Sequence, residues 1–283
     1  MISIDYTPAA PNLSSLSFRR SFGLSRLVTD SPLYARLGLL MFLAMAPTFA
    51  AASLDDRLFH GVNVWQKPLK FEFALGVYLL TLAFFARFVP VSVRGSRSNR
   101  IFEIVVALAI VGEMLWIGAA AYLGVASHFN TREPFFVLLY PVMGLMATVL
   151  TSATAVQAYA IRGNQKTLLQ PALKAGIVLG LALTLPLTLI SAGFMSSVGG
   201  HWVGGAASDA GGLMLMGWAR DGGDLRVAHF FATHAMHAIP AFALVSAHVF
   251  GAYNRRPVVV FAVLYVVFVI GVFIQGLAGR PFI

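Results

Sequence analysis

Four of the seven histidines fall between Asp224 and His248, in the run DLRVAHFFATHAMHAIPAFALVSAH. Imidazole ligates metals and haem iron and moves protons near neutral pH. At about 100° per residue, a continuous helix places His229, His237 and His234 at roughly 0°, 80° and 140°, within one half of its circumference. His234 and His237, at i and i+3, can grip one ion, whereas His229 and His234, at i and i+5, cannot readily do so. A divalent metal site (zinc, copper or iron) is therefore expected from His234 and His237 with Glu113, completed by His128 or His201. His229, His234 and His237 are also the candidate cofactor ligands for a b-type haem. Histidine pairs for two haems are not available, because His60, His128 and His201 lie outside the other apolar runs.

Carboxylates and bases supply the remaining chemistry. Glu113 sits about 11 residues inside an apolar run, at about the depth of His237, so the two are expected to meet. Lys70 and Glu72, in SLDDRLFHGVNVWQKPLKFEF, are read as an ion pair in a polar funnel and, with Glu113, as candidate catalytic groups. Lys67, Arg220 and Arg226 form a candidate basic mouth for an anion such as a lipid phosphate or a small carboxylate. The same residues allow a second reading, in which a transporter or proton path runs through Glu72, Glu113 and His237 with no cofactor. A structural subunit with a polar core is the third.

The elements that must hold these groups are membrane helices. The chain is 58% hydrophobic and 11% charged, with mean hydropathy +0.80, whereas soluble domains carry about 25% charged residues. Seven apolar stretches are long enough to cross about 30 Å of hydrocarbon, near Leu33–Ala52, Leu69–Val89, Ile101–Gly124, Pro134–Ile161, Leu173–Ser196, Leu225–Ala252 and Val258–Gly276. The expected fold is an all-α, seven-helix transmembrane bundle over residues 31–283, behind a flexible cytoplasmic arm over residues 1–30. Arg36 followed by LGLLMFLAMAPTFAAAS also resembles a signal peptide; the long leader before it favours an uncleaved anchor.

The net charge of +9 comes mostly from loops, so it reports topology and not a nucleic-acid partner. Arg19, Arg20, Arg26 and Arg36, then Arg94, Arg97 and Arg100, then Arg162, Lys166 and Lys174, then Arg255 and Arg256 share one side. Asp55, Asp56, Glu133, Asp209, Asp221 and Asp224 lie on the other. This places the N-terminus in the cytoplasm, the C-terminus outside and the histidines toward the outer, periplasmic face of a bacterial inner membrane. A small-molecule or lipid substrate would then arrive from the periplasmic side.

Three further features shape the site. The outer loop between the fifth and sixth spans holds about a third of the 26 glycines and can fold over the bundle mouth, bringing His201 toward His229. Thr148, Thr151, Ser152, Thr154 and Gln157 in the fourth span read as packing groups, and Pro186 as a kink in the fifth. Zero cysteines excludes thiolate metal sites and iron–sulfur clusters. The seventh span carries no lysine, which rules out a retinal Schiff base there.

WQKPLKF at Trp65–Phe71, SHFN at Ser127–Asn130, GGHWVG at Gly199–Gly204 and GGDLRVAHF at Gly222–Phe230 together resemble an uncharacterised family of seven-helix bacterial membrane proteins. The resemblance covers nearly all of the chain after the arm. It implies the topology and the outward clustering of these motifs, and it brings no catalytic residue with it.

Overall fold

A computed structural model describes residues 24–130 and 134–283. Arg19, Arg20, Glu133 and most of the expected arm lie outside the described residues. The described chain is helical: α1 Leu24–Asp30, α2 Pro32–Leu54, α3 Gln66–Ala86, α4 Val91–Arg94, α5 Arg97–Leu123, α6 Pro134–Gly163, α7 Pro171–Val198, α8 Leu225–Thr233, α9 Ala235–Val249 and α10 Arg256–Leu277. Two short hairpins interrupt it, β1 Leu58–Phe59 with β2 Val62–Asn63 and β3 Trp202–Val203 with β4 Gly223–Asp224. Among the described residues, six helices are long and apolar enough to cross a membrane, or up to seven spans if the bent α8–α9 pair counts as one. This is an integral, multi-pass membrane protein by the length and composition of its helices. Outward-facing Leu43, Leu115 and Leu138 give the bundle an apolar exterior suited to lipid.

Local chemistry sets the helix ends. Ser96 caps α5, its hydroxyl accepting from the Asn99 amide, and Gly124 ends that helix at φ 69°, where a side chain would be strained. Pro171 opens α7, where its missing N–H is no loss, and Gly199 closes it at φ 70°.

The turns gather at two ends of the bundle. At the arginine-rich end, Asn164 donates to the Phe88 carbonyl at 2.8 Å, Lys174 donates to the Asn164 carbonyl at 2.7 Å, and Arg94 pairs with Asp30 at 2.6 Å. At the other end the long 199–224 loop is pinned down, with Asp209 N–H donating to the His60 carbonyl at 2.8 Å.

Helix packing is close where small residues allow it. Gly176 and Gly180 lie on one face of α7, as a GxxxG pair does; Gly180 presses on the start of α9 beside the break, and Gly176 on α9 at Ile239–Ala243. A β-carbon on Gly180 would lie 2.8 Å from the Ala235 carbonyl oxygen and 2.8 Å from Pro240 Cδ. An apolar cluster that includes Leu79, Leu82, Ile110, Ile161, Leu181 and Met236 fills the interior between the helices.

The sixth stretch departs from the expected single helix. It breaks at His234, and its halves are bent by 52°. Pro240 removes a backbone donor just beyond the break, and α7 supplies the surface that holds the two halves.

Candidate functional site

Asp224 starts α8 and organises the mouth at the end of the bundle opposite the arginine-rich turns. Its carboxylate caps the helix through the Arg226 amide and takes the Arg226 guanidinium at 2.6 Å. The same guanidinium reaches Asp209 at 2.6 Å and the Gly217 carbonyl at 2.8 Å, so one arginine ties the roof loop to the sixth span. Burial pushes the Asp224 carboxyl up, but its hydrogen bond and ion pair with Arg226 outweigh that and leave it below the usual carboxylate range. Lys70 donates to the Met216 carbonyl of the same loop at 3.1 Å.

Next to this latch, Lys67 Nζ lies 3.0 Å from His128 Nδ1, and the Ser127 hydroxyl lies 3.0 Å from the same nitrogen. An ammonium can only donate, so His128 Nδ1 accepts and its proton sits on Nε2. Burial, then the charges of Lys67, His229 and His201, hold His128 well below the usual histidine range. Glu113, 3% exposed, is close enough to feel Lys67, and its Oε1 has no partner among the described residues. Burial, then Arg226, pushes His201 down to about 3, with Asp224 opposing at 3.7 Å.

These loop histidines give the mouth a pH dependence. His128 and His201 are neutral when folded but bind protons in the unfolded chain below about pH 6.5. Their stabilising effect is complete above that pH and declines as pH falls toward 3; Asp224 begins to withdraw its own contribution only below about pH 3.9, where the unfolded carboxyl binds protons, and continues as pH falls through its lower folded range. Thermal unfolding in detergent is expected to drop between pH 7 and pH 5, and His201→Gln to flatten the drop. An unchanged profile in the variant would contradict this account.

Below the mouth three imidazoles follow one another along α8 and α9, and their partners assign each tautomer. Ser191 gives its hydroxyl proton to the Leu187 and Thr188 carbonyls, so at 3.1 Å it accepts from His229 Nδ1–H. His234 Nδ1–H donates to the Phe230 carbonyl at 2.8 Å, with its ring stacked on Phe230. Thr81 gives its proton to the Val77 carbonyl, so at 2.9 Å it accepts from His237 Nε2–H. Each ring therefore keeps one nitrogen without a proton, and His237 Nδ1 is buried without a partner. The His234 and His237 ring centroids are 5.2 Å apart.

The row ends at Thr81. The next residue, Leu82, is fully buried, and its carbonyl accepts from the Gln157 amide at 2.9 Å. Gln157 also lines the best-formed cavity, about 20 Å³ and room for about one water, at the arginine-rich end among Tyr34, Arg94, Asn99 and Glu103. Polar groups thus approach Leu82 from both ends of the bundle.

Several expectations need correction. No three His, Asp or Glu side chains among the described residues are placed to hold a metal ion. His234 and His237 stand as a pair; Glu113 lies with Lys67 and does not join them, His128 Nδ1 is occupied by Lys67 and Ser127, and His201 belongs to the mouth. Two imidazoles fall short of the three or four protein ligands a zinc site uses. Lys70 and Glu72 do not pair: residues two apart point to different sides of a helix, and Glu72, 5% exposed, accepts from the Thr48 hydroxyl of α2 at 2.7 Å. Arg220 is exposed on the roof, apart from the Arg226 latch.

Sequence reasoning missed Thr81 and Ser191 and gave Gln157 only a packing role. A lone hydroxyl in YLLTLAFF was the available signal for Thr81. The four motif stretches do meet at one end, through Lys67 with His128, Trp202 paired with Asp224 and the Arg226 latch. Compared with family models, with curated proteins and with solved structures, the chain shows no match to any of them.

Proposed function

We propose that this protein is a membrane transporter that carries a small polar solute along its own side chains, with no need for a resident cofactor. The supporting observation is the broken sixth span, whose imidazole row runs from the mouth to Thr81 and stops one residue from Leu82. Broken helices at mid-membrane, with polar groups at the break, are how many transporters build a binding site. Gln157 and the Glu103 cavity supply the matching approach from the opposite end. Rocking of α8–α9 against α7 would open the Leu82 plug to one side at a time.

In this reading α8–α9 is one span, giving seven. The arginine-rich end is cytoplasmic by the positive-inside rule, and the C-terminus is outside. A bacterial inner membrane is the proposed host, with the solute taken from the periplasmic face. Glu113 and the histidines act as binding groups; Lys67, Lys70 and Arg226 at the mouth already have acceptors, which argues against the anion-binding alternative.

The chain has no cysteine, so single cysteines can be labelled with a membrane-impermeant maleimide from a chosen side. Ser191→Cys is expected to react from outside, Gln157→Cys from inside, and Thr81→Cys from both. If Thr81→Cys reacts from one side only, or from neither, in folded protein, the transporter reading fails.

A further inference from the structure

We infer that the solute recognised at the break is an N–H donor of the ammonium class, ammonium or a short primary alkylammonium, and not an anion. The inference rests on the transporter reading and names its substrate. It comes from a count of donors and acceptors along the path. Three of the cations at the mouth already hold an acceptor: Lys67 has His128, Lys70 the Met216 carbonyl, and Arg226 Asp209, Asp224 and the Gly217 carbonyl; Arg220 stands apart, exposed on the roof. An anion entering there would find Arg226 already neutralised by Asp209 and Asp224.

The groups left over are acceptors. His229, His234 and His237 have each given their N–H to Ser191, the Phe230 carbonyl and Thr81, which leaves a lone pair on the other nitrogen. No described residue donates to His237 Nδ1 or to Glu113 Oε1, and both atoms are buried. A buried acceptor without a donor is costly, so these sites favour a partner that brings protons. Ammonium brings four N–H groups and no lone pair; it matches several acceptors in succession and is about the size of the water the best-formed cavity holds. Potassium has the same charge and a similar size but nothing to donate. Charge alone would not separate the two ions, whereas hydrogen bonding does.

The test uses the full chain in proteoliposomes, with transient currents read on a solid-supported membrane after jumps in ammonium, methylammonium, tetramethylammonium, potassium, phosphate or acetate. Currents are expected for ammonium and methylammonium and not for tetramethylammonium or potassium. His237→Ala is expected to raise the half-saturating ammonium concentration roughly ten-fold or more, as loss of one hydrogen bond to a charged donor implies. His248→Ala, exposed and bonded only to its own helix, serves as the unchanged control. Equal currents for ammonium and potassium, currents for phosphate or acetate instead, or pH-jump currents that added ammonium leaves unchanged would each overturn the amine assignment. If Thr81→Cys is still labelled from both sides, the transporter reading survives that result; if labelling also fails, both fall. A silent wild type that elutes as folded protein counts against the assignment.

Discussion

Replacing Arg226 by methionine is expected to destabilise the folded protein by about 3–5 kcal/mol, the range for removing one member of a buried ion pair. Asp224 is almost fully buried and would keep its charge facing an apolar side chain. Asp209 and the Gly217 carbonyl would lose the same partner, so the roof loop would come loose as well. For a chain of this size the loss corresponds to a fall in Tm on the order of 10 °C, measurable by thermal unfolding in detergent. Arg226→Lys should recover only part of it, because an ammonium lacks the planar fork that meets three partners at once. Arg226→Met combined with Asp224→Asn should do better than Arg226→Met alone, since no uncompensated charge stays buried. A fall of less than about 2 °C for Arg226→Met would show that water reaches the latch and that the mouth is not the closed structure described.

Gly180→Val is expected to be the most damaging substitution within the bundle. Its β-carbon would meet the Ala235 carbonyl and the Pro240 ring, neither of which can swing aside as a flexible side chain can. Overpacking of this kind costs about 1–3 kcal/mol. The strain falls on the bend at His234, so solute currents should be lost before the protein unfolds. Gly193→Ala is the matched control, because nothing lies within 4 Å of a β-carbon there. It should be neutral or slightly stabilising, as alanine is the better helix former. Equal behaviour of the two variants would mean that α7 does not hold the break.

The spans were legible because hydropathy alone decides them, and the six unbroken ones lie within a few residues of the expected stretches. The break was not, because DLRVAHFFATHAMHAIP carries no glycine or proline at His234 itself and α7 holds the two halves in place. Pro240 was the local sign. Rise per residue fixes height along a helix axis. Height says nothing about rotation, which is why Glu113 was matched to His237 but lies with Lys67. Lys70 and Glu72 were joined because they are close in sequence, although helix geometry sends one to the roof and the other to α2. Ligand nitrogens could be counted from composition; only the hydroxyl partners of Thr81 and Ser191 reveal which nitrogen of each ring is left bare.

The seat of the roof on the last helix has a mechanical consequence. Gly223 lies against the backbone of Gly276 so tightly that a β-carbon would overlap the Gly276 carbonyl. Main chain rests on main chain there, with no side chain to act as a cushion. The roof is therefore no free flap: swinging it open means levering the end of α10 with it. The tail from Arg280 to Ile283 rides on that lever, with Phe282 packed edge-on to Trp218 of the roof, so a fluorophore at the C-terminus would register each opening of the mouth.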